Sequence, residues 1–259
     1  MGSAIVVTSG KGGVGKSTVS LGLAAQFAAN GERVLLIDCD AGLRSLDRMT
    51  GVEEALVYDI SDVVAGRCSP AEAIYPCAAV PGAFLMPAPA GGEDLVPPHV
   101  MQRLVPMLKR YFDRILLDSP AGVGRGFRSA SAAADRALIV CSPDPVCIRD
   151  AAIVRRLLAE TGVSDRRLII NRFSAEFFQS MAPEMPGKKE ETETASAFCR
   201  DLDDVIDQSG VQLIGIVPED KKLAAAFACG RMPGADTPGR MALSRIAARL
   251  NGVFVPLAL

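Results

Sequence analysis

The stretch that decides the fold lies near the start of the chain and reads Gly10-Lys11-Gly12-Gly13-Val14-Gly15-Lys16-Ser17-Thr18. It follows the apolar run Ala4–Thr8 and opens an Ala- and Leu-rich segment, Ser17–Asn30, that stops before a glycine. A glycine-rich loop between a strand and a helix is the context of a phosphate-binding loop, because its glycines let successive backbone N–H groups turn toward an anion. The N-terminus of the helix adds partial positive charge. The sequence therefore predicts that these nine residues bind the phosphates of a nucleotide.

Two side chains of this loop have predicted roles in phosphate chemistry. Lys16 is expected to reach the β- and γ-phosphates, and Ser17 is expected to place its hydroxyl on Mg²⁺. The alternative is a glycine-rich turn with incidental lysines, but a turn alone does not require all nine residues to match in this context.

Short apolar runs recur along the chain between segments with helical spacing. Besides Ala4–Thr8, the predicted strands are Arg33–Asp38, Ala83–Pro87, Arg114–Asp118, Ala137–Cys141, Leu168–Asn171 and Leu213–Val217. Such continuous apolar runs are typical of parallel strands that helices cover on both faces. The predicted helices include Ser17–Asn30, Ile148–Thr161 and Thr237–Leu250. We therefore predict an α/β fold: one domain over residues 1–259, with a doubly wound, mostly parallel sheet flanked by helices, and an exposed loop at 181–196.

Composition excludes several classes of protein. The 259 residues include 28 Lys and Arg and 30 Asp and Glu, a net charge of -2 that argues against a generally basic, DNA-coating protein. Hydrophobic residues make up 49%, which excludes global disorder. No run of 18 apolar residues and no secretory signal are recognisable, so we expect no transmembrane helix and a cytoplasmic protein. The seven cysteines include no CxxC pair, which indicates reduced thiols.

Three carboxylates stand at the ends of predicted strands. Asp38 and Asp40 end one strand pattern and Asp118 ends another. Ligands of parallel α/β sheets bind outside the carboxyl ends of the strands, so all three are expected near the phosphates. Each could instead be a strand-end cap, but three of them after a phosphate loop favour a shared role.

Lys11 is a second lysine in the loop and completes the deviant Walker A motif, KGGxGKS/T. Through it the chain resembles the MinD/ParA family of P-loop ATPases. The resemblance implies a homodimer when ATP is bound, in which Lys11 reaches the partner's nucleotide and acts in catalysis with Lys16 and Asp40. It also implies switch roles for Asp38, Asp40 and Asp118, and a Mg²⁺ site of Ser17, Asp40 and Asp118, the aspartates acting through water. Alternatively, Lys11 merely sits at a solvated loop mouth.

The same resemblance suggests where the adenine binds. In the family an Asn at a strand end and the loop after the penultimate strand hold the base. Here these positions are Asn171 with Arg172, and Pro218-Glu219-Asp220. An amide offers a donor and an acceptor to the adenine edge. Structural capping by Asn171 is the open alternative.

Longer stretches narrow the resemblance to the MinD branch of the family, over roughly residues 3 to 256. They are Asp38-Cys39-Asp40-Ala41-Gly42-Leu43-Arg44-Ser45-Leu46-Asp47, Val57-Tyr58-Asp59-Ile60, Asp118-Ser119-Pro120-Ala121-Gly122 and Gly215-Ile216-Val217-Pro218-Glu219-Asp220. This likeness implies an ATP-gated dimer that places the division septum. Its partners would be a MinC-type inhibitor and a MinE- or DivIVA-type protein, at the inner face of the cell membrane.

The chain departs from the family pattern at three places. No Lys-rich amphipathic helix closes the sequence, so membrane contact is expected to be weak or indirect, and the apolar tail is expected to pack on the domain. Gly124 and Ala152 replace residues that are usually charged in the family.

Other functions stay open at this point. A ParA-like DNA-partition ATPase would need a positive face, for example around Arg155-Arg156 and Arg166-Arg167. Residues 150–259 hold 14 Lys and Arg against 15 Asp and Glu, which weakens that alternative, and no specific nucleic acid partner is expected. An Mrp-type iron–sulfur carrier would need closely placed cysteines. A metabolic P-loop enzyme would need a second substrate pocket.

Overall fold

The computed structural model describes residues 2–41, 44–91, 96–174 and 202–257. The strands of these residues are β1 Ser3–Thr8, β2 Val34–Asp38, β3 Tyr75–Pro76, β4 Ala83–Met86, β5 Arg114–Asp118, β6 Arg136–Cys141, β7 Asp165–Phe173 and β8 Gln212–Pro218. The helices are α1 Lys16–Ala29, α2 Ser45–Thr50, α3 Ile60–Val64, α4 Pro98–Leu108, α5 Arg125–Ser131, α6 Pro145–Glu160, α7 Leu202–Ser209, α8 Lys221–Ala228 and α9 Pro238–Leu250. Short 3₁₀ turns lie at Glu53–Ala55 and Pro70–Ala73.

The strands form one sheet in the order β3-β4-β2-β5-β1-β6-β7-β8. All neighbouring pairs are parallel except β3 with β4, which is antiparallel. The central strands are almost completely buried, as their continuous apolar runs predict, and helices flank the sheet. The predicted α/β fold is thus confirmed. All parallel strands share one carboxyl edge, where the loop after β1 and the ends of β2 and β5 meet.

Local signals set the helix boundaries. Gly15 precedes α1 with φ 91°, and Gly31, just past its end, has φ 85°. The third predicted helix, α9, begins one residue after Thr237. Helix α6 begins at Pro145, earlier than the predicted Ile148, because the carboxylate of Asp144 accepts a hydrogen bond from the N–H of Cys147. The short edge strand β3 was not predicted, since two residues carry no periodic signal.

Two further expectations concern loops and the tail. The predicted exposed loop at 181–196 lies outside the described residues. The expectation that the apolar tail packs on the domain is wrong for three of its described side chains, since Val253 is 55%, Phe254 90% and Leu257 49% exposed. The backbone of the tail is nevertheless held, because the guanidinium of Arg249 donates to the carbonyls of Val255 and Pro256. Polar contacts with the main chain therefore fix the course of this segment and leave Phe254 in solvent.

Candidate functional site

The loop between β1 and α1 has the geometry of an anion cradle. Gly13 and Gly15 have positive φ, and no heavy atom lies within 4 Å of the position that a Cβ on Gly13 would take. Gly10 is required for close approach, since a Cβ there would lie 2.5 Å from the Cβ of Asp150 on α6. The predicted residues 10–18 therefore lie together at the carboxyl edge of the sheet, in front of the first turn of α1. This is the arrangement in which backbone N–H groups and the helix terminus favour phosphate.

Lys16 lies in the wall of this cradle and is only 8% exposed. Burial lowers the pKa of its ammonium group, and the nearby carboxylates of Asp118 and Asp40 oppose that shift. A buried ammonium group is stabilised when an anion binds beside it. Lys16 is therefore placed to gain electrostatic energy from a phosphate group.

Asp118, at the end of β5, receives two hydroxyl hydrogen bonds from α1. Its carboxylate oxygens lie 2.6 Å from Oγ of Ser17 and 2.8 Å from Oγ of Ser20. Burial raises the pKa of Asp118 to about 6, although the two hydrogen bonds and Lys16 act in the opposite direction. Asp118 is thus a buried carboxylate beside the first turn of α1, where the phosphate loop ends.

Asp38 lies directly across from Asp118 in the parallel β2–β5 pairing. Burial raises the pKa of Asp38 well above its ordinary value, and the neighbouring charge of Asp118 raises it further. One oxygen of Asp38 accepts a hydrogen bond from the N–H of Asp40, while the other, Oδ2, is buried without a hydrogen-bond partner in the described part of the chain. Asp38 and Asp118 therefore face each other across the β2–β5 pairing, and Asp40 is near enough to add a smaller repulsion to both.

These groups fit a divalent cation. Mg²⁺ prefers hydroxyl, carboxylate and water oxygens. Ser17 and Asp118 are in contact, Asp40 is close enough to Lys16 to influence its pKa, and Asp38 has an unpartnered buried oxygen. A positive ion beside them would offset the burial, and the smaller mutual repulsion, that raise the pKa values of Asp38 and Asp118.

Lys11 lies at the outer side of the loop, and its side chain is 51% exposed. Its Nζ is 3.7 Å from Oδ1 of Asp144, the residue that caps α6. Burial alone would raise the pKa of Asp144. Hydrogen bonds from the Ser142 hydroxyl and the Cys147 N–H, together with the charge of Lys11, lower it overall. Among the described residues, Lys11 is thus held by one ion pair, which is accessible to solvent.

Asn171, at the carboxyl edge of β7, contacts the phosphate loop itself. Its Nδ2 donates to the carbonyl of Val14 at 2.7 Å, and the side chain is buried. A Cβ on Gly15 would lie 2.3 Å from this same nitrogen. The geometry thus favours the alternative left open by the sequence, in which Asn171 supports the loop. Its contact with adenine stays a prediction.

The other residues predicted to hold adenine lie at the carboxyl ends of β7 and β8. Arg172 has a positive φ of 57° and its side chain is exposed. Pro218 pairs with Phe173, so it lies one strand beyond Asn171, and the N–H of Glu219 donates to the carbonyl of Phe173. The Asp220 carboxylate accepts hydrogen bonds from the backbone N–H groups of Lys222, Leu223 and Gly239. This pattern makes Asp220 the cap that joins α8 to α9.

Sequence reasoning missed three side chains of the site. Ser20 lies one helical turn after Ser17, so the spacing alone could have placed it on the same face of α1. The hydroxyl of Ser9 donates to the carbonyl of Lys11 at 2.7 Å. Asp144 stands between a strand and a helix-initiating proline, a recognisable cap signal. Its contact with Lys11, however, depends on the tertiary fold.

Comparisons with known proteins identify the family. A family model described as CbiA, the CobQ/CobB/MinD/ParA nucleotide binding domain, matches residues 5–233. The chain belongs to this family. It is similar to the septum site-determining protein MinD of Thermotoga maritima, with 37% identity over 262 residues, 99% of this chain and 91% of the relative. MinD of Synechocystis is 38% identical over 261 residues, covering 99% of this chain and 92% of the relative.

A solved structure agrees with these relatives. A chain of the MinC:MinD cell division protein complex from Aquifex aeolicus aligns with a TM-score of 0.84 and 34% identity, covering 99% of this chain and 98% of that one. The predicted resemblance to MinD is therefore confirmed, and this chain is a member of the MinD/ParA family of nucleotide-binding ATPases.

One feature tied to an alternative function is weakened in this chain. Arg167 and Arg136 both bind Asp165, which neutralises part of the basic patch considered for DNA. Over the residues the structure describes, no three His, Cys, Asp or Glu side chains are grouped to hold a metal ion directly. Within the same residues, no helix combines the length and apolar character needed to cross a membrane.

Proposed function

We propose that this chain is an ATP-dependent dimerising switch of the MinD type that regulates where the division septum forms. One observation carries the proposal: Lys11 stands at the mouth of the phosphate loop, half exposed and, among the described residues, held by one ion pair. A lysine side chain in that position can give up its contact with Asp144 and reach the nucleotide bound to a second subunit. The near full-length similarity to MinD proteins supports the assignment to septum placement.

Different residues of the chain bind the phosphates, the Mg²⁺ ion and the adenine of ATP. The backbone of residues 10–18 surrounds the phosphates of ATP, and the ammonium group of Lys16 stabilises the negative charge that develops at the transferring phosphoryl group. Ser17, Asp118 and Asp40 would hold Mg²⁺, the aspartates through water. When bound, this ion neutralises charge on the β- and γ-phosphates. Asn171 keeps the loop in its binding conformation, while Arg172 and the segment Pro218–Asp220 form the side of the site that the adenine faces.

Hydrolysis is proposed to be slow and dependent on dimerisation. Asp40 orients the attacking water, and Asp38 and Asp118 respond to the bound nucleotide as switch residues. The transition state needs one more positive charge at the transferring phosphate. Lys11 of the partner subunit supplies it when it reaches the nucleotide, as an arginine finger does in other P-loop enzymes. A monomer lacks that charge at the transferring phosphate and therefore turns over slowly.

The dimer is the state that would bind partners. A MinC-type inhibitor is the first candidate, because the aligned Aquifex structure is a MinC:MinD complex. A MinE- or DivIVA-type protein would set the position of the dimer. Membrane contact is proposed to be weak or to pass through a partner. Co-sedimentation with liposomes in ATP and in ADP tests this, since ATP-dependent pelleting of the purified chain alone would contradict the indirect route.

Light scattering during gel filtration tests the central proposal. We expect a monomer with ADP and a dimer with a non-hydrolysable ATP analogue, and we expect specific ATPase activity to rise with protein concentration. Lys16→Ala should stay monomeric because it binds no nucleotide, whereas Lys221→Ala, an exposed lysine outside the predicted site, should dimerise normally. A wild-type chain that remains monomeric when saturated with the analogue would overturn the proposal.

A further inference from the structure

A cavity lies far from the phosphate loop, at the opposite edge of the sheet. It has a volume of about 560 Å³ and opens between the second half of α4, the 3₁₀ turn at Pro70–Ala73, Phe84 of β4 and the residues that precede β2 and β5. Arg33 directly precedes β2, and Phe112 lies two residues before β5, so this cavity is at the amino edge. Pockets of 300 to 1,000 Å³ are the usual size of sites for small ligands. We call it the amino-edge pocket.

The floor of the amino-edge pocket is apolar and well ordered by packing. Leu104 and Leu108 of α4 are 3% and 5% exposed, and Phe112 is 6% exposed. The ring of Phe84 meets that of Phe112 edge to face, with centroids 5.6 Å apart. At the rim, Met107 is 50% exposed and supplies an adaptable apolar side chain. A hydrocarbon body would therefore bury against a preformed surface.

The polar groups of the pocket have a marked charge asymmetry. The guanidinium carbon of Arg33 lies 5.8 Å from the Phe84 ring centre and 5.3 Å from that of Phe112, so two rings hold this cation in place. Neither Arg33 nor Arg110 forms an ion pair with a described carboxylate. Two acids lie nearby and accept hydrogen bonds from other groups: Asp113 accepts from the backbone N–H of Arg33, and Glu72 accepts from the N–H and hydroxyl of Ser69.

We propose that the amino-edge pocket binds a small amphiphilic anion, with an aliphatic or aromatic body on the leucine and phenylalanine floor and an acidic group on Arg33 and Arg110. Guanidinium groups bind carboxylate, sulfonate and phosphate oxygens through charge-assisted hydrogen bonds. A cation fixed on aromatic rings loses little freedom when it binds, which favours a preorganised site. The pocket is separate from the nucleotide site, so the ligand would be a second, independent one.

The probe for this proposal is 8-anilinonaphthalene-1-sulfonate, which joins aromatic rings to one sulfonate. We expect it to bind the folded full-length chain at one saturable site with enhanced fluorescence, and we expect dodecanoate to displace it while Mg-ATP does not. The double variant Arg33→Gln/Arg110→Gln should bind about tenfold more weakly, which corresponds to ~1.4 kcal/mol. Arg33→Lys should keep part of the affinity, because it retains the charge.

Two controls separate a specific site from unfolding or surface binding. Arg103→Gln removes an exposed arginine of α4 that does not line the pocket, and it should leave the affinity unchanged. Met107→Glu, at the exposed rim, should weaken binding without changing the melting temperature. The proposal fails if the folded wild type does not bind the probe, if dodecanoate does not compete, or if the double variant and Arg103→Gln behave alike. Binding of an acidic peptide without any small amphiphile would also overturn it.

Discussion

The ammonium group of Lys11 lies 3.7 Å from the carboxylate of Asp144 within one chain. Asp144 is also the cap of α6, so the second lysine of the phosphate loop is tied to the start of that helix. Both side chains are accessible to water, and a pair of this kind stabilises by only about 0–1 kcal/mol. The pair is therefore weak enough to be exchanged for a contact with a partner's nucleotide.

Replacing Asp144 should test that exchange. Asp144→Asn keeps a capping side chain for α6 but removes the charge that holds Lys11. We expect the ATP-bound dimer to form about 1.4- to fivefold more tightly for each Lys11 released, as loss of a contact of ~0.2–1 kcal/mol implies. Analytical ultracentrifugation with a non-hydrolysable analogue measures this. A variant that dimerises more weakly would show that Asp144 itself faces the partner.

The two lysines of the loop should separate binding from turnover. Lys16→Ala is expected to abolish nucleotide binding, because the cation in the wall of the cradle is lost. Lys11→Ala is expected to bind ATP nearly as well as wild type and to lose its concentration-dependent hydrolysis. Calorimetric titration and phosphate release measure the two effects. Normal ATP affinity of Lys16→Ala would refute the assignment of the site, and normal turnover of Lys11→Ala would refute the trans role.

Asp40 should matter for hydrolysis and not for assembly. Asp40→Ala removes the group proposed to orient the attacking water, so we expect a dimer that persists with ATP instead of returning to monomers. Gel filtration after incubation with ATP, compared with phosphate release, measures this. Hydrolysis at the wild-type rate would dismiss Asp40 from the mechanism.

Asp118 should lower the stability of the nucleotide-free protein at neutral pH. Burial raises its pKa from 3.8 to about 6, so the native state holds the proton more tightly than the unfolded chain does. The stability this provides in acid is lost as pH rises through about 6, which leaves a buried charge at pH 8. Asp118→Asn should therefore be more stable than wild type at pH 8 by about 1–3 kcal/mol, since each pKa unit corresponds to ~1.4 kcal/mol.

Denaturant unfolding at pH 5 and pH 8 measures this effect. The advantage of the Asn variant should shrink toward pH 5, and its nucleotide binding should no longer respond to Mg²⁺. The Ser17 and Ser20 hydroxyls can turn to suit an amide, so few hydrogen bonds are lost. A variant that is less stable than wild type at pH 8 would contradict the account of the carboxylate cluster.

Replacing Asn171 should lower the affinity for all nucleotides by the same factor. Its amide nitrogen holds the carbonyl of Val14, so Asn171→Ala leaves the phosphate loop without that support. We expect the affinities for ATP and for GTP to fall by the same factor, about tenfold or ~1.4 kcal/mol. Titration with both nucleotides measures this. If binding of ATP falls while binding of GTP is unchanged, Asn171 reads the adenine and its contact with the loop is incidental.

Much of the fold and of the phosphate site could be predicted because their signals are local. Residues 10–18 follow a strand and open a helix, and the apolar runs of β2, β5 and β6 have the length and composition of buried strands. The short strand β3 and the exposure of Phe254 could not be predicted. A two-residue strand has no periodicity. The position of Phe254 depends on the contact of Arg249 with the backbone of the tail, and the apolar sequence of the tail does not indicate that contact.

The amino acid sequence by itself determined that this chain winds strands and helices around a phosphate loop with a second lysine, because periodicity and glycine spacing act over a few residues. Only the tertiary structure decided which distant groups meet. Asn171 reaches Val14 across 157 residues of chain, Lys11 meets Asp144, and Arg33 stacks on Phe84 and Phe112. Such contacts depend on the order of strands in the sheet, since that order sets which strand ends become neighbours.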